Sequence, residues 1–262
     1  MKILCVIPSK GRFGSIAKKT LSWMPQANGF DWKVFVEPKE ALLYKKAFEA
    51  SGFSASHLVV LPDNDRRLGY SLYHCKKYAI AYGYDLVLKL DDDVSGLIDA
   101  RAKKIYSADV LEKMVKTVSE SMVNEPKLGA VGIDLIKGYY YVKNNPVDYL
   151  YKNAPVYGLY IIRPEIWDKT PECTTEEDCI TTLSLFRAGY YTYTYNAAMQ
   201  VAIYTNAGGE QSFDRVKERE ALIPILKKKY PDLEFKYVVH EKNIYGGGID
   251  WEEHFPKKQR LF

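Results

Sequence analysis

Apolar and polar positions along this chain follow two rhythms. Up to about residue 93, short apolar runs take turns with stretches of helical period, joined by connections of a few residues. Residues 3–7 (ILCVI) read as a buried strand closed by Pro8. Residues 15–24 predict a short helix, and 33–36 a second strand stopped by Glu37-Pro38. Residues 40–49 predict a helix with Leu42, Leu43 and Phe48 at helical spacing. Residues 58–61 form a third apolar run, and 67–82 a helix that Gly83 terminates. Residues 86–90 are a fourth strand. Strand and helix alternating at this pace predict a parallel, doubly wound sheet.

Past residue 94 the texture changes. Residues 107–122 predict an amphipathic helix with Val110, Leu111, Met114, Val115 and Val118 inward. Residues 128–136, 139–142 and 157–162 predict strands of mixed direction. A helix over 175–188 carries its acids in the first turn, where the dipole favours them, and stops at Gly189. Residues 190–195 and 199–204 alternate like two strands. Residues 213–229 predict a basic helix despite Pro224, and Gly246-Gly247-Gly248 a turn or hinge. No linker separates two folding units, so the expectation is one domain over 1–262.

Composition narrows the class. The chain has 262 residues, 47% of them hydrophobic, which is ample for one large core. A formal charge of +4 is compatible with an anionic partner. Cys5, Cys75, Cys173 and Cys179 form no CxxC pair, which reads as free thiols in a reducing compartment. The apolar run at the N-terminus is too short for a signal peptide, and no segment is long enough to cross a membrane. The expectation is a cytoplasmic protein.

The chemistry concentrates where the fourth strand ends in Asp91-Asp92-Asp93. Adjacent carboxylates repel one another, and a fold gains nothing from bunching them without a cation. Asp91 and Asp93 are two apart, so on an extended chain they face the same side. That pair suits Mg²⁺ or Mn²⁺ completed by water and phosphate oxygens. Open α/β sheets collect their ligands at the carboxyl ends of strands. A solvated acidic turn is the plain alternative, and the apolar strand in front weakens it. The second acidic group is Thr175-Glu176-Glu177-Asp178, followed by Arg187-Ala188-Gly189-Tyr190. Taken alone it reads as helix capping.

Four elements in this order resemble the inverting glycosyltransferases of family 2. They are the first strand with Ile7-Pro8-Ser9-Lys10-Gly11-Arg12, the three aspartates, Glu177-Asp178, and Arg187-Ala188-Gly189-Tyr190. The resemblance implies a GT-A fold: an α/β, Rossmann-like nucleotide-sugar-binding fold with a mostly parallel central sheet and a smaller mixed acceptor-side sheet. It implies a nucleotide-sugar-binding half over 1–94 and an acceptor-binding half with a basic C-terminal segment over 95–262. It implies Asp178 as catalytic base, with Glu177 second. It places Pro8, Ser9, Lys10, Arg12, Glu37, Asp65, Arg67, Asp91 and Asp92 against a donor, expected to be a UDP-sugar. Mn²⁺ or Mg²⁺ would sit on Asp91 and Asp93, with Asn206 or His240 as the further ligand. No histidine follows closely after the Glu-Asp helix, which departs from the family's usual pattern.

Among these enzymes the chain looks most like the phage TET-associated glycosyltransferases. The marks are Val36-Glu37-Pro38, the triple aspartate followed by Val94, and the loop from Asn206 to Gly209 ahead of a basic helix. The implied acceptor is 5-hydroxymethylcytosine in double-stranded DNA. Arg215, Lys217, Arg219, Lys227, Lys228 and Lys229 supply charge suited to phosphates, and tyrosines 139–141 and 160 could stack a base. Surface solvation and ordinary sheet packing explain the same residues. A glycan, lipid or protein acceptor is the nearest rival. A sugar nucleotidyltransferase would need a Gly-rich loop after the first strand, which is lacking. A non-catalytic DNA-binding protein on a degenerate transferase fold is the rival of another class.

Overall fold

The computed structural model describes residues 1–99, 104–105, 107–135, 149–167, 176–202, 215–238 and 248–261. Its strands are β1 (Ile3–Pro8), β2 (Asp31–Val36), β3 (Leu58–Val60), β4 (Leu86–Lys89), β5 (Val94–Asp99), β6 (Lys104–Ile105), β7 (Leu128–Leu135), β8 (Tyr149–Lys152), β9 (Tyr160–Ile162), β10 (Tyr191–Ala202), β11 (Tyr237–Val238), β12 (Gly248–Ile249) and β13 (Gln259–Arg260). The α-helices are α1 (Ala41–Ala50), α2 (Leu68–Ala81), α3 (Ser107–Asn124), α4 (Glu177–Arg187) and α5 (Arg215–Lys229).

One large mixed sheet runs in the order β13-β8-β10-β7-β9-β4-β1-β2-β3, with β5 and β6 attached through β10. β3, β2, β1 and β4 are mutually parallel, as the βα rhythm predicts. β9 then runs antiparallel between β4 and β7 and joins the mixed half to the parallel half. β1 lies between β2 and β4, and its six residues are all buried. Its side chains alternate between two cores. Ile3, Cys5 and Ile7 face a layer built from α1 and α3, while Leu4 and Val6 face α2. A third cluster joins Ile180 and Leu183 of α4 to Leu222 and Leu226 of α5 and to Phe235 and Trp251.

The structure corrects several sequence expectations. Residues 15–24 form no α-helix. They make three 3₁₀ turns, Ile16–Lys18, Thr20–Ser22 and Met24–Gln26. Thr20 and Trp23 bind backbone groups of the aspartate turn instead of closing a helix. In α1 the buried residues are Tyr44 and Phe48, whereas Leu42 and Leu43 are exposed. The two strands expected over 190–204 are a single β10, whose partner changes from β8 to β5 along its length. β5 and β8 were not expected at all. α5 keeps Pro224 because that residue is exposed, so water can satisfy the carbonyl its ring leaves unbonded. The strand expected over 139–142 lies outside the described residues. No described helix is long and apolar enough to cross a membrane.

Candidate active site

Three groups of side chains meet at the carboxyl ends of β1, β2 and β4. The first surrounds the aspartates. β1 ends at Pro8, and the chain turns through Gly11, whose φ of 70° is left-handed, to bring Arg12 back inward. The Arg12 guanidinium is buried and lies 2.5 Å from Asp92 and 2.8 Å from Asp93. The Ser9 hydroxyl donates to Asp92 at 2.6 Å and shares a 2.7 Å bond with the Tyr44 hydroxyl. The Tyr44 oxygen also accepts the Arg12 N–H. Burial pushes the Asp92 carboxyl up to about 6, against the pull of Arg12 and Ser9. Asp92 therefore faces into the fold and ties β1 to β4. The Thr20 hydroxyl donates to the Asp91 carbonyl and accepts the Val94 N–H, which fixes the backbone of the turn.

The second group lies at the end of β2. Glu37 is 2% exposed and pairs with Lys10 at 2.7 Å and Lys39 at 3.5 Å. Lys39 also binds Asp65, whose φ of 56° is left-handed, and that contact lowers the Asp65 pKa. Arg67 does not point into this group; it pairs with Glu218 of α5.

The third group was missed in the sequence. Lys89, the last residue of β4, is 1% exposed and donates to Asp91 at 2.7 Å. Burial alone would lower its pKa, but Asp91, Asp178, Tyr160 and Glu177 outweigh it and hold the ammonium charged. The signal was visible: one lysine in an otherwise apolar run, LVLKL. Lys89, Tyr160, Gly132 and Thr194 are partners in successive ladder pairs, so they form one row across the sheet. A Cβ at Gly132 would meet the Val156 backbone at 3.2 Å. That position must stay small for the segment carrying Gly158 to cross so near the sheet. The Gly158 N–H donates to Asp178 at 3.0 Å. Thr181 and Thr182 donate back to the carbonyls of Glu177 and Asp178 and steady the first turn of α4. The structure thus brings the aspartate turn and the Glu177-Asp178 turn to one place, with a buried ammonium between them.

Other expected residues are elsewhere. Arg187 sits at the far end of α4, bound to Asp232 by two hydrogen bonds. Asn206 and His240 lie outside the described residues. Among the described residues, no group of three His, Cys, Asp or Glu side chains converges on a metal position. Asp91 and Asp93 each give one oxygen to a basic side chain and retain a second. Two such oxygens suit a hard divalent ion that takes its remaining ligands from phosphate and water, as Mg²⁺ commonly does. The donor set fits the expected ion on that count.

Residues 3–209 match the family described as TET-Associated Glycosyltransferase. The chain belongs to the TET-associated glycosyltransferase family. Solved structures agree on the fold. Glucosyl-3-phosphoglycerate synthase from Mycobacterium tuberculosis, in complex with Mg²⁺ and uridine diphosphate, superposes with a TM-score of 0.54 at 13% identity, covering 90% of this chain and 84% of that one. The same enzyme with Mn²⁺ and UDP-glucose gives 0.53 at 11% identity, covering 90% and 83%. TarS from S. aureus gives 0.50 at 12% identity, covering 89% and 67%. No curated protein matches the chain by sequence. This TET-associated glycosyltransferase has the GT-A architecture: a large mixed sheet whose parallel half ends at the aspartate turn.

Proposed function

We propose that the protein is a metal-dependent, inverting glycosyltransferase that moves a sugar from UDP to a hydroxyl group, with 5-hydroxymethylcytosine in duplex DNA as the favoured acceptor. The observation that carries the reading is the chain of contacts from Asp178 through the Gly158 N–H, the Tyr160–Lys89 ladder pair and the Lys89 ammonium to Asp91. A donor diphosphate and an acceptor base need that proximity. The family match supports the acceptor, and UDP in the glucosyl-3-phosphoglycerate synthase complexes supports the donor.

In this reading the nucleotide lies over the ends of β1 and β2. Lys10 lines it on one side, Ser9 and Arg12 hold the aspartate turn beneath it, and Glu37 and Asp65 stand near the nucleoside. Asp91 and Asp93 would hold Mn²⁺ or Mg²⁺, which supplies charge neutralisation to the leaving diphosphate. Asp178 takes the proton of the acceptor hydroxyl as its oxygen attacks C1 of the sugar. The bond from C1 to the diphosphate oxygen breaks in the same displacement, on the opposite face, so the configuration inverts. A hydroxymethyl group stacked in a duplex is out of reach, so the acceptor nucleotide must leave the stack.

The test is incubation with Mn²⁺, a set of UDP-sugars and duplex DNA containing 5-hydroxymethylcytosine, then digestion to nucleosides and mass measurement. A hexose or N-acetylhexosamine increment is expected. Hydrolysis of a UDP-sugar without an increment removes DNA as acceptor and leaves a glycan, lipid or protein. DNA binding with no turnover of any donor removes the enzyme. Asp178→Asn should keep UDP affinity and lose transfer by about a hundredfold or more, since only the base is removed. Near-normal turnover would reject that role.

A further inference from the structure

Glu176 stands immediately before α4 with a φ of 58°, a left-handed conformation that a glutamate does not adopt without cause. A residue at this place ordinarily takes an extended φ and caps the first turn with its side chain. Here the side chain makes no capping hydrogen bond. Both carboxylate oxygens turn away from the helix. One accepts from Arg219 Nε of α5 at 2.5 Å, and the other accepts from Trp251 Nε1 at 3.2 Å. The Glu176 and Arg219 side chains are each 13% exposed, so the ion pair is largely shielded from water. Trp251 is buried against Phe235 and Phe255. The clamp is thus anchored in the cluster that joins α4 to α5.

We propose that Glu176 is a positioning residue: held by Arg219 and Trp251, it aims the first turn of α4 so that Asp178 faces the acceptor hydroxyl. This rests on the reading of Asp178 as base. The physical link is short. The Glu176 carbonyl accepts the Ile180 N–H, the first bond of the helix, so the orientation of residue 176 sets that of 177 and 178. Among the described residues, Arg219 and Trp251 are what hold the Glu176 side chain, and with it the left-handed turn. Relaxation to an ordinary φ would swing the turn and pull Asp178 from the Gly158 N–H. The residue before Arg219 on α5, Glu218, binds Arg67 at the start of α2. Adjacent residues of α5 therefore hold one element from the donor side and one from the acceptor side.

The experiment compares Glu176→Gln, Arg219→Met, their double variant and Arg219→Lys with wild type, using Asp178→Asn as reference. Each single variant should lower kcat by between about ten- and a hundredfold, with donor KM and UDP affinity nearly unchanged. The double variant should lose no more than either single one, because both remove the same clamp. Arg219→Lys, which keeps the charge, should recover part of the rate. Trp251→Phe keeps the ring packing and removes only the N–H, so it gives a smaller loss if the larger changes unfold the protein. Hydrogen exchange should speed up at the amides of Ile180 and the residues that follow it in the first bonded turn of α4 and stay unchanged in β4. A Glu176→Gln enzyme with normal kcat, or one whose loss lies in donor KM, overturns the proposal while an inactive Asp178→Asn leaves the base reading intact. An active Asp178→Asn overturns both.

Discussion

Three adjacent aspartates would repel one another, and the fold gives each a basic partner. Asp91 meets Lys89, Asp93 meets Arg12, and Asp92 is turned inward to Arg12 and Ser9. The inward one carries a pH signature. Its ordinary value of 3.8 is pushed up to about 6 in the fold, chiefly by burial. The folded state then holds that proton more tightly than the unfolded chain does. The Asp92 contribution to stability is therefore fully present below about pH 4, falls as pH rises toward 6, and is constant above. Asp92→Asn has no proton to lose. Urea unfolding of both proteins between about pH 4 and pH 7 should show the difference moving toward the variant by roughly 2 kcal/mol. Parallel curves would mean that Asp92 titrates at its ordinary value.

At the scale of elements, the aspartate turn is held by a segment the sequence pattern misassigns. Helical spacing over 15–24 counts apolar positions only. It cannot show that Thr20 and Trp23 spend their polar atoms on residues 91 and 94, some seventy positions away. Thr20→Val would leave the Asp91 carbonyl and the Val94 N–H without their side-chain partner. That should cost roughly 2–4 kcal/mol and weaken UDP binding, both recovered largely by Thr20→Ser. Denaturant unfolding and UDP titration check it; a valine variant as stable as wild type would show that the turn holds itself. Local readings succeed where the signal is local. The buried run from Ile3 to Ile7, the stop at Gly83 and the acid-rich start of α4 all stand in the structure. They fail where a distant partner decides. β10 is one strand because β5 extends its pairing past β8, and no window around residues 196–199 contains that fact. Lys89 is legible as an odd residue in its apolar run, but its partners, like those of Glu176, come from other elements.

Across the whole molecule, the question is where a polyanion would lie. The net charge of +4 does not say, but the pairing of individual cations does. Arg67, Arg187 and Arg219 are already bound to acids. Lys229 sits 5.6 Å from the Tyr230 ring centre and is half-buried. Lys227 and Lys228 at the end of α5 are exposed, as are Lys257, Lys258 and Arg260 beside β13. α5 begins at the contacts to the donor loop and to Glu176 and ends beside Ser184 and Arg187 at the far end of α4, so its exposed lysines lie about one helix length from the candidate site. β13 is at the opposite edge of the sheet from β3 and the donor side. A duplex presenting a base to Asp178 should therefore run along α5. Lys227→Glu with Lys228→Glu should weaken duplex binding and reduce the slope of log affinity against log salt by roughly 0.9 for each phosphate the two lysines neutralise. Lys257→Glu with Lys258→Glu should leave that slope unchanged. The opposite pattern would place DNA on the β13 edge, where a flipped nucleotide would have to cross β8 and β10 to reach the base.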